Sequence, residues 1–556
     1  MIRARCLSSL VLVLSGLGLV AMAVARPAAS SDATRSANAA TSRALALFAH
    51  SDECLACHNN LQSPAGEDVS IGLAWRATMM ANSARDPYWQ ASVRRETLDH
   101  PSHAAEIQDE CGACHMPMST HAARAGGAHG LVFDHLPVAQ HRTRPLDRLA
   151  ADGVSCTVCH QIGAAQLAQP DGFNGNIRLP PTPADGRRVI FGPYGIDAGR
   201  KRIMHSVTGF VQAKGDHLRE SELCASCHTL RTQAFGPSGD IVGSLPEQMN
   251  YQEWQHSDFN REKRSCQSCH MPRVPGPVRI ASSLGDQREG LSQHAFVGGN
   301  VMMLRILDRF RVELGTQALP AELTGMAAAT ERQVRQDTAT VQVLAPGVED
   351  GTLTFEVELV NKTGHKFPTG YPARRAWLHV TVRDAQARVV FESGAVRPDG
   401  SIAGNRADAE PSSFEPHYDL VRTTDQVPIY ETVLGDRAGT PTTGLLAATQ
   451  YLKDNRLLPR GFDKQTASSD IAVHGGAATD VDFSGGGDRV HYRVPVVEGD
   501  RYTIAVELLY QPIAYRWARN LEGVPGTEPE RFTAYYNAEA HHSSVVVSSA
   551  FATTQP

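Results

Sequence analysis

At 556 residues the chain is too long for one ordinary core, so two or more domains are expected. Apolar residues make up 42% and charged residues 20%, which excludes a disordered chain, and a formal charge of −6 argues against nucleic acid as a partner. Beyond the N-terminus no stretch is long and apolar enough to predict a membrane span.

Residues 1–25 read as a secretory signal. Arg3 and Arg5 form a basic segment, Leu7 to Val20 an apolar one, and Ala23-Val24-Ala25 a cleavage site before Arg26. Export to the periplasm is expected, with the mature chain at −8 once the two arginines leave the −6 total. Cys6 follows Arg5 too near the start to be a lipobox cysteine. Residues 26–45, rich in Ala, Ser, Thr and Asn, read as a disordered leader.

Residues 46–334 carry one short pattern five times: Cys54 to His58, Cys111 to His115, Cys156 to His160, Cys224 to His228 and Cys266 to His270. C-x-x-C-H is the signature of covalent haem c attachment. Two thiols three residues apart fall on one side of a helical turn. There Cys54 and Cys57, Cys111 and Cys114, Cys156 and Cys159, Cys224 and Cys227, and Cys266 and Cys269 can each form thioethers to the two vinyl groups of a haem. The histidine that follows (His58, His115, His160, His228 or His270) supplies the proximal nitrogen to iron. A single CxxC also serves zinc or thiol redox chemistry, but here every copy ends in His. Of eleven cysteines, Cys6 leaves with the signal and the other ten all belong to these motifs, so none remains for a disulfide.

Five haems in this length leave too little polypeptide for five separate apolar cores. The haems must supply much of the core, packed against Trp75, Trp89 and Trp254. The clearest helix starts at Asp86-Pro87, an N-cap Asp with Pro at the first helical position, and stops before Pro101. Gly- and Pro-rich loops are expected at residues 170–186, 236–246 and 272–277.

After Asn300 the pattern changes. A helix over residues 301–314 and a Glu/Arg-bearing stretch near Glu331 lead into a β-rich domain, residues 335–556. Alternation at Leu353, Phe355, Val357 and Leu359 predicts a half-buried strand. The same holds for Leu378, Val380 and Val382, for Val490, Tyr492 and Val494, for Tyr502 to Leu508, and for Ser544 to Phe551. A helical insertion is expected near Leu445 to Asn455. The fold class is therefore α+β and multidomain: a mainly α, haem-packed domain followed by a β-sandwich-like one.

Eighteen histidines beyond the proximal five are more than five distal positions need. His205 and His217 precede the fourth motif at separations that let the chain fold back over a haem face. His294 lies in HAFVGGN, whose glycines let backbone approach a flat cofactor. His365 lies in NKTGHKFPTGYP, a turn-rich loop of the second domain that could reach back to the first. His103, His121, His135 and His141 flank the second and third motifs. His379, opposite Leu378, Val380 and Val382, reads as a solvent-facing strand residue. Met80, in TMMANSARDP, is a thioether alternative for the first haem, against core packing of the Met79-Met80 pair.

The CxxCH motifs together with TMMANSARDPYW, ELCASCHTL, YQEW before CQSCHMP, and HAFVGGN resemble periplasmic multihaem, here pentahaem, c-type cytochromes. GHKFPTGYP and KDNRLLPRGF resemble a C-terminal region found in some of them. The resemblance implies a haem-packed electron-transfer domain with bis-His ligation common among its haems. No motif ends in Lys, unlike the active haem of pentahaem nitrite reductases, and five motifs fall short of the octahaem hydroxylamine-oxidising enzymes. Electron transfer with redox partner proteins is the expected function, since relay parts occur five times and no catalytic group is identifiable. The alternative is a redox enzyme acting on a small inorganic nitrogen or sulfur substrate at one open haem, with Arg85-Asp86 and Arg94-Arg95 as nearby charged groups. A third role is docking of a partner on an exposed edge of the β domain.

Overall fold

The computed structural model describes residues 46–140 and 143–555. The signal, the leader and His141 lie outside them. The described residues form one compact unit, and no helix among them is long and apolar enough to cross a membrane.

The first half is built of short helices. The one expected at Asp86-Pro87 runs Pro87–Asp99, with the Asp86 carboxylate accepting from the N–H groups of Tyr88 and Trp89. Trp75, Trp89 and Trp254 are all buried. Small strand pairs punctuate the helices: β1 (Arg188–Gly192) runs parallel to β2 (Phe210–Lys214), while β3 (Leu230–Phe235) with β4 (Ile241–Gln248) and β5 (Val278–Arg279) with β6 (Gln287–Arg288) are antiparallel. The loop expected at 236–246 is thus a hairpin, its turn at 236–240. Pro246 is tolerated in β4 because the pairing slips there, Leu230 facing Gln248 and Arg231 facing Pro246, so that Glu247 is the bulged residue.

The helix expected over 301–314 breaks at Phe310 into Val301–Arg309 and Arg311–Leu314, and Phe310 stacks on Tyr535 with ring centroids 3.7 Å apart. The stretch around Glu331 is part of a long helix, Pro320–Asp337. Strands follow: β7 (Ala339–Glu349), β8 (Thr352–Asn361), β9 (Arg375–Arg383), β10 (Val389–Ser393), β11 (Leu420–Val421), β12 (Ile429–Gly435), β13 (Pro441–Thr442), β14 (Gln450–Asp454), β15 (Gly487–Pro495), β16 (Thr503–Gln511) and β17 (Val545–Thr553). One sheet runs β11-β15-β8-β7. The other runs β13-β12-β9-β16-β17, with β10 also on β9 and β14 on β12.

The alternating apolar residues of β7, β8 and β15 meet those of β9, β16 and β17 in one cluster that includes Val357, Val380, Tyr492, Val506 and Val547. Two sheets sharing an inner face in this way is the layout a sandwich requires. His379 points off the core face of β9, between Glu507 and Glu392.

No helical insertion forms near Leu445 to Asn455. Only Leu445–Ala447 makes a single 3₁₀ turn, and Gln450–Asp454 is β14, paired to β12 from Gly435 to Thr432. An unpaired row of N–H and C=O groups on β12 outweighs the helical preference of a short Leu/Ala run. The last strand-half helices, Tyr515–Arg519 and Thr527–Glu539, turn back on the first half. Phe532 packs on Tyr88, and Glu528 pairs with Arg94.

Candidate functional site

Each CxxCH motif occupies one helical turn. The second, fourth and fifth end the helices Ala104–His115, Ser221–His228 and Cys266–His270, the third begins Cys156–Cys159, and Cys54 lies in Ser51–Leu55. Among the described residues the ten cysteines all belong to these turns, and none is in a disulfide.

Four of the five motif histidines share one hydrogen-bond pattern. Nδ1 of His58 faces the Ile280 carbonyl at 2.7 Å, that of His115 faces Ser83 O at 3.2 Å, that of His160 faces Phe191 O at 2.7 Å, and that of His270 faces Val297 O at 2.5 Å. A carbonyl can only accept, so Nδ1 carries the proton and Nε2 keeps the lone pair that a metal requires. Burial acts in the same sense. It holds His115 and His228 down to about 4 and pulls His58 and His160 below the ordinary range, so these rings stay neutral. Two thiols and one neutral imidazole nitrogen per turn is the donor set of covalent haem c, and these residues fit it.

Two further histidines stand across from proximal ones. The rings of His160 and His294 are 6.2 Å apart between centroids with planes 16° apart, and those of His270 and His365 are 6.3 Å and 12° apart. Two metal–nitrogen bonds of about 2 Å each, plus the half-width of each ring, fill that separation. His294 and His365 also turn Nδ1 to backbone carbonyls, Ser292 O at 3.2 Å and Lys366 O at 2.9 Å. Burial brings them down to about 3 and about 4. Among the described residues no other proximal histidine has an imidazole facing it at this separation.

Of the remaining candidates, His103, His217 and His121 turn Nε2 to backbone carbonyls, whereas His135 pairs through Nδ1 alone and His205 not at all. His103 Nε2 meets Gly239 O at 2.7 Å and its ring stacks on Phe235. His217 Nε2 meets Ile162 O at 2.9 Å, His121 Nε2 meets Gly175 O at 3.0 Å, and His135 Nδ1 meets Asp147 at 2.8 Å. His205 keeps a buried Nδ1 without a hydrogen-bond partner. Met80 is half-buried, its carbonyl accepting from Val154 N. Arg85 is buried and donates to the carbonyls of Ala81, Ala151 and Gly315, while Arg94 pairs with Glu528 and Arg95 with Asp99. These arginines brace the fold.

Turns far apart in sequence meet in space. Cys54 lies close enough to Cys156 for each to shift the other's titration, as do Cys114 with Cys227 and Cys224 with Cys266. Backbone contacts repeat the pattern. Thr157 Oγ1 donates to Ala49 O at 3.0 Å, and Cys266 N donates to Ser221 Oγ at 3.1 Å. Gly175 N donates to Ser226 O at 2.7 Å, while a Cβ at Gly175 would fall 2.7 Å from Cys114 Sγ. The first turn therefore adjoins the third, and the fourth adjoins the second and the fifth.

Two features were not read from the sequence. Trp89 stacks face to face on His115, centroids 4.4 Å apart and planes 2° apart; the signal was its place three residues into a capped helix. Glu253, within YQEW, lies in a buried network beneath the His365 loop, and nothing in the sequence alone pointed to it.

One solved structure, a penta-heme cytochrome c552 from Thermochromatium tepidum, aligns over 91% of this chain and 99% of its own at 16% identity and a TM-score of 0.49. No family model and no curated protein matches the chain.

Proposed function

We propose that this chain is an exported multihaem c-type cytochrome that carries electrons between redox partner proteins through five covalently attached haems. His58, His115, His160, His228 and His270 are the proximal ligands in this reading. His294 is distal at the third site and His365 at the fifth. When bound, the haems supply one-electron exchange at iron, and the residues described here hold, orient and desolvate them.

The observation that carries the reading is the meeting of cysteines from different motifs. The thioether edge of a haem is fixed by its cysteines, so turns whose cysteines lie side by side bring those edges together. A relay needs that contiguity, whereas a single active haem does not.

The test is spectroscopic, on the mature holoprotein. A haemochrome assay should return five haems per chain. The haems at the third and fifth sites should be low-spin and six-coordinate, unchanged by cyanide or nitrite. His294→Ala and His365→Ala should each convert one haem to a high-spin form that binds cyanide. A high-spin component in the unmodified protein that responds to nitrite would replace the relay by the enzyme reading.

A further inference from the structure

The second half of the chain contains no CxxCH motif, yet His365 comes from it. The loop that presents His365, between β8 and β9, is held by a chain of four buried charges. Lys366 donates from Nζ to Asp454 at 2.7 Å, and Arg456 donates from Nε and Nη2 to the same carboxylate, each at 2.8 Å. Arg456 Nη1 lies 2.9 Å from Glu253 Oε1. Glu253 Oε2 accepts from Lys366 N at 3.1 Å and from Thr369 Oγ1 at 2.6 Å. Lys366 and Glu253 are 0% exposed, Asp454 2% and Arg456 7%.

Of the four, Glu253 alone belongs to the first half, in the helix Asn250–Gln255. The next residue of that helix, Trp254, donates from Nε1 to Arg264 O at 2.8 Å, two residues before Cys266. One short helix thus grips both the loop bearing His365 and the segment leading into the fifth CxxCH turn. The loop also approaches the first half closely at Gly364, where a Cβ would stand 3.0 Å from the Phe259 ring.

The alternating charges sum to zero, which makes their burial tolerable. Apolar side chains of equal volume would be at least as stabilising. What charges add is direction: Glu253 fixes one backbone N–H, one hydroxyl and one guanidinium at defined positions, all within the loop or beside it.

We infer that Glu253 is a positioning residue: through Lys366, Thr369 and Arg456 it holds the His365 loop so that His365 faces His270, and the strand half thereby serves as a ligand-bearing arm. The inference rests on the reading of His365 as the distal ligand at the fifth site.

The experiment compares His365→Ala, Glu253→Gln and Thr369→Val in the mature holoprotein by electron paramagnetic resonance and cyanide titration. Glu253→Gln should leave five haems attached but shift the low-spin signature of one haem and make that haem bind cyanide at least tenfold more tightly than in the unmodified protein. Thr369→Val, which keeps every charge, should move the same signature in the same direction by less, and Glu253→Asp should restore part of it. If His365→Ala changes no haem, the ligand reading fails. If His365→Ala changes one haem while Glu253→Gln and Thr369→Val leave its signature and cyanide affinity unmoved, the positioning role is overturned and the ligand reading stands. Should Glu253→Gln not fold, Thr369→Val decides between the same two outcomes.

Discussion

Glu247 bulges from β4 with its carboxyl buried, accepting from the Gln248 side-chain amide at 3.3 Å. Burial pushes its pKa up to about 8 from 4.5. Glu96 is likewise pushed up by burial, to about 7, although the N–H groups of Leu445 and Leu446 pull the other way. A carboxyl with a raised folded-state pKa binds more protons folded than unfolded. Its contribution to stability is therefore lost as pH rises from the unfolded to the folded pKa. For this pair the window is about pH 4.5 to 8. Melting temperatures across that range should fall with rising pH, and Glu247→Gln should flatten the fall; calorimetry at several pH values checks both. Asp454 opposes this at the acid end, because Arg456 and Lys366 overcome its burial and hold it well below the usual carboxylate range.

The helix Pro87–Asp99 shows how one element serves several sites. Its cap and its stop are written in the sequence: Asp86 with Pro87 at the start, Pro101 just past the end. Its side chains then run three ways, Trp89 onto His115, Tyr88 against Tyr371 and Phe532, and Arg94 to Glu528. Asp86→Ala removes the acceptor for two N–H groups and should cost about 1 kcal/mol in chemical denaturation. Asp86→Asn keeps an acceptor there and should cost less. This helix was legible because capping is local. β14 was not, since its pairing to β12 depends on residues twenty positions away, and Leu445 to Asn455 carries no alternation to announce it. The same limit applies to ligands. His294 and His365 stood out by their glycine-rich and turn-rich loops, whereas His217 stood out by its place before the fourth motif and turns Nε2, not Nδ1, to a carbonyl, a matter of tertiary placement alone.

Across the whole molecule the two halves differ in how their apolar residues are grouped. The strand half shares one continuous cluster between its sheets. Before Val301 the CxxCH half has several small ones, such as Trp89 with Val93 and Met116, Phe48 with Met118 and Val158, and Leu61 with Val69 and Val278, and its largest, around Tyr88, is shared with Leu307, Trp517 and Phe532. Small separate clusters bury too little surface to offset the entropy of ordering the chain between them. Cofactors lodged between the clusters would join them. The CxxCH half should then depend on haem attachment in a way the strand half does not. In protein produced without cytochrome c maturation, limited proteolysis should degrade the first 300 or so residues and leave a protected fragment beginning near Val301, whose helices pack on the strand half, with a β-rich circular dichroism spectrum. Uniform protection of both halves, with one cooperative melt, would mean that the small clusters suffice without haem.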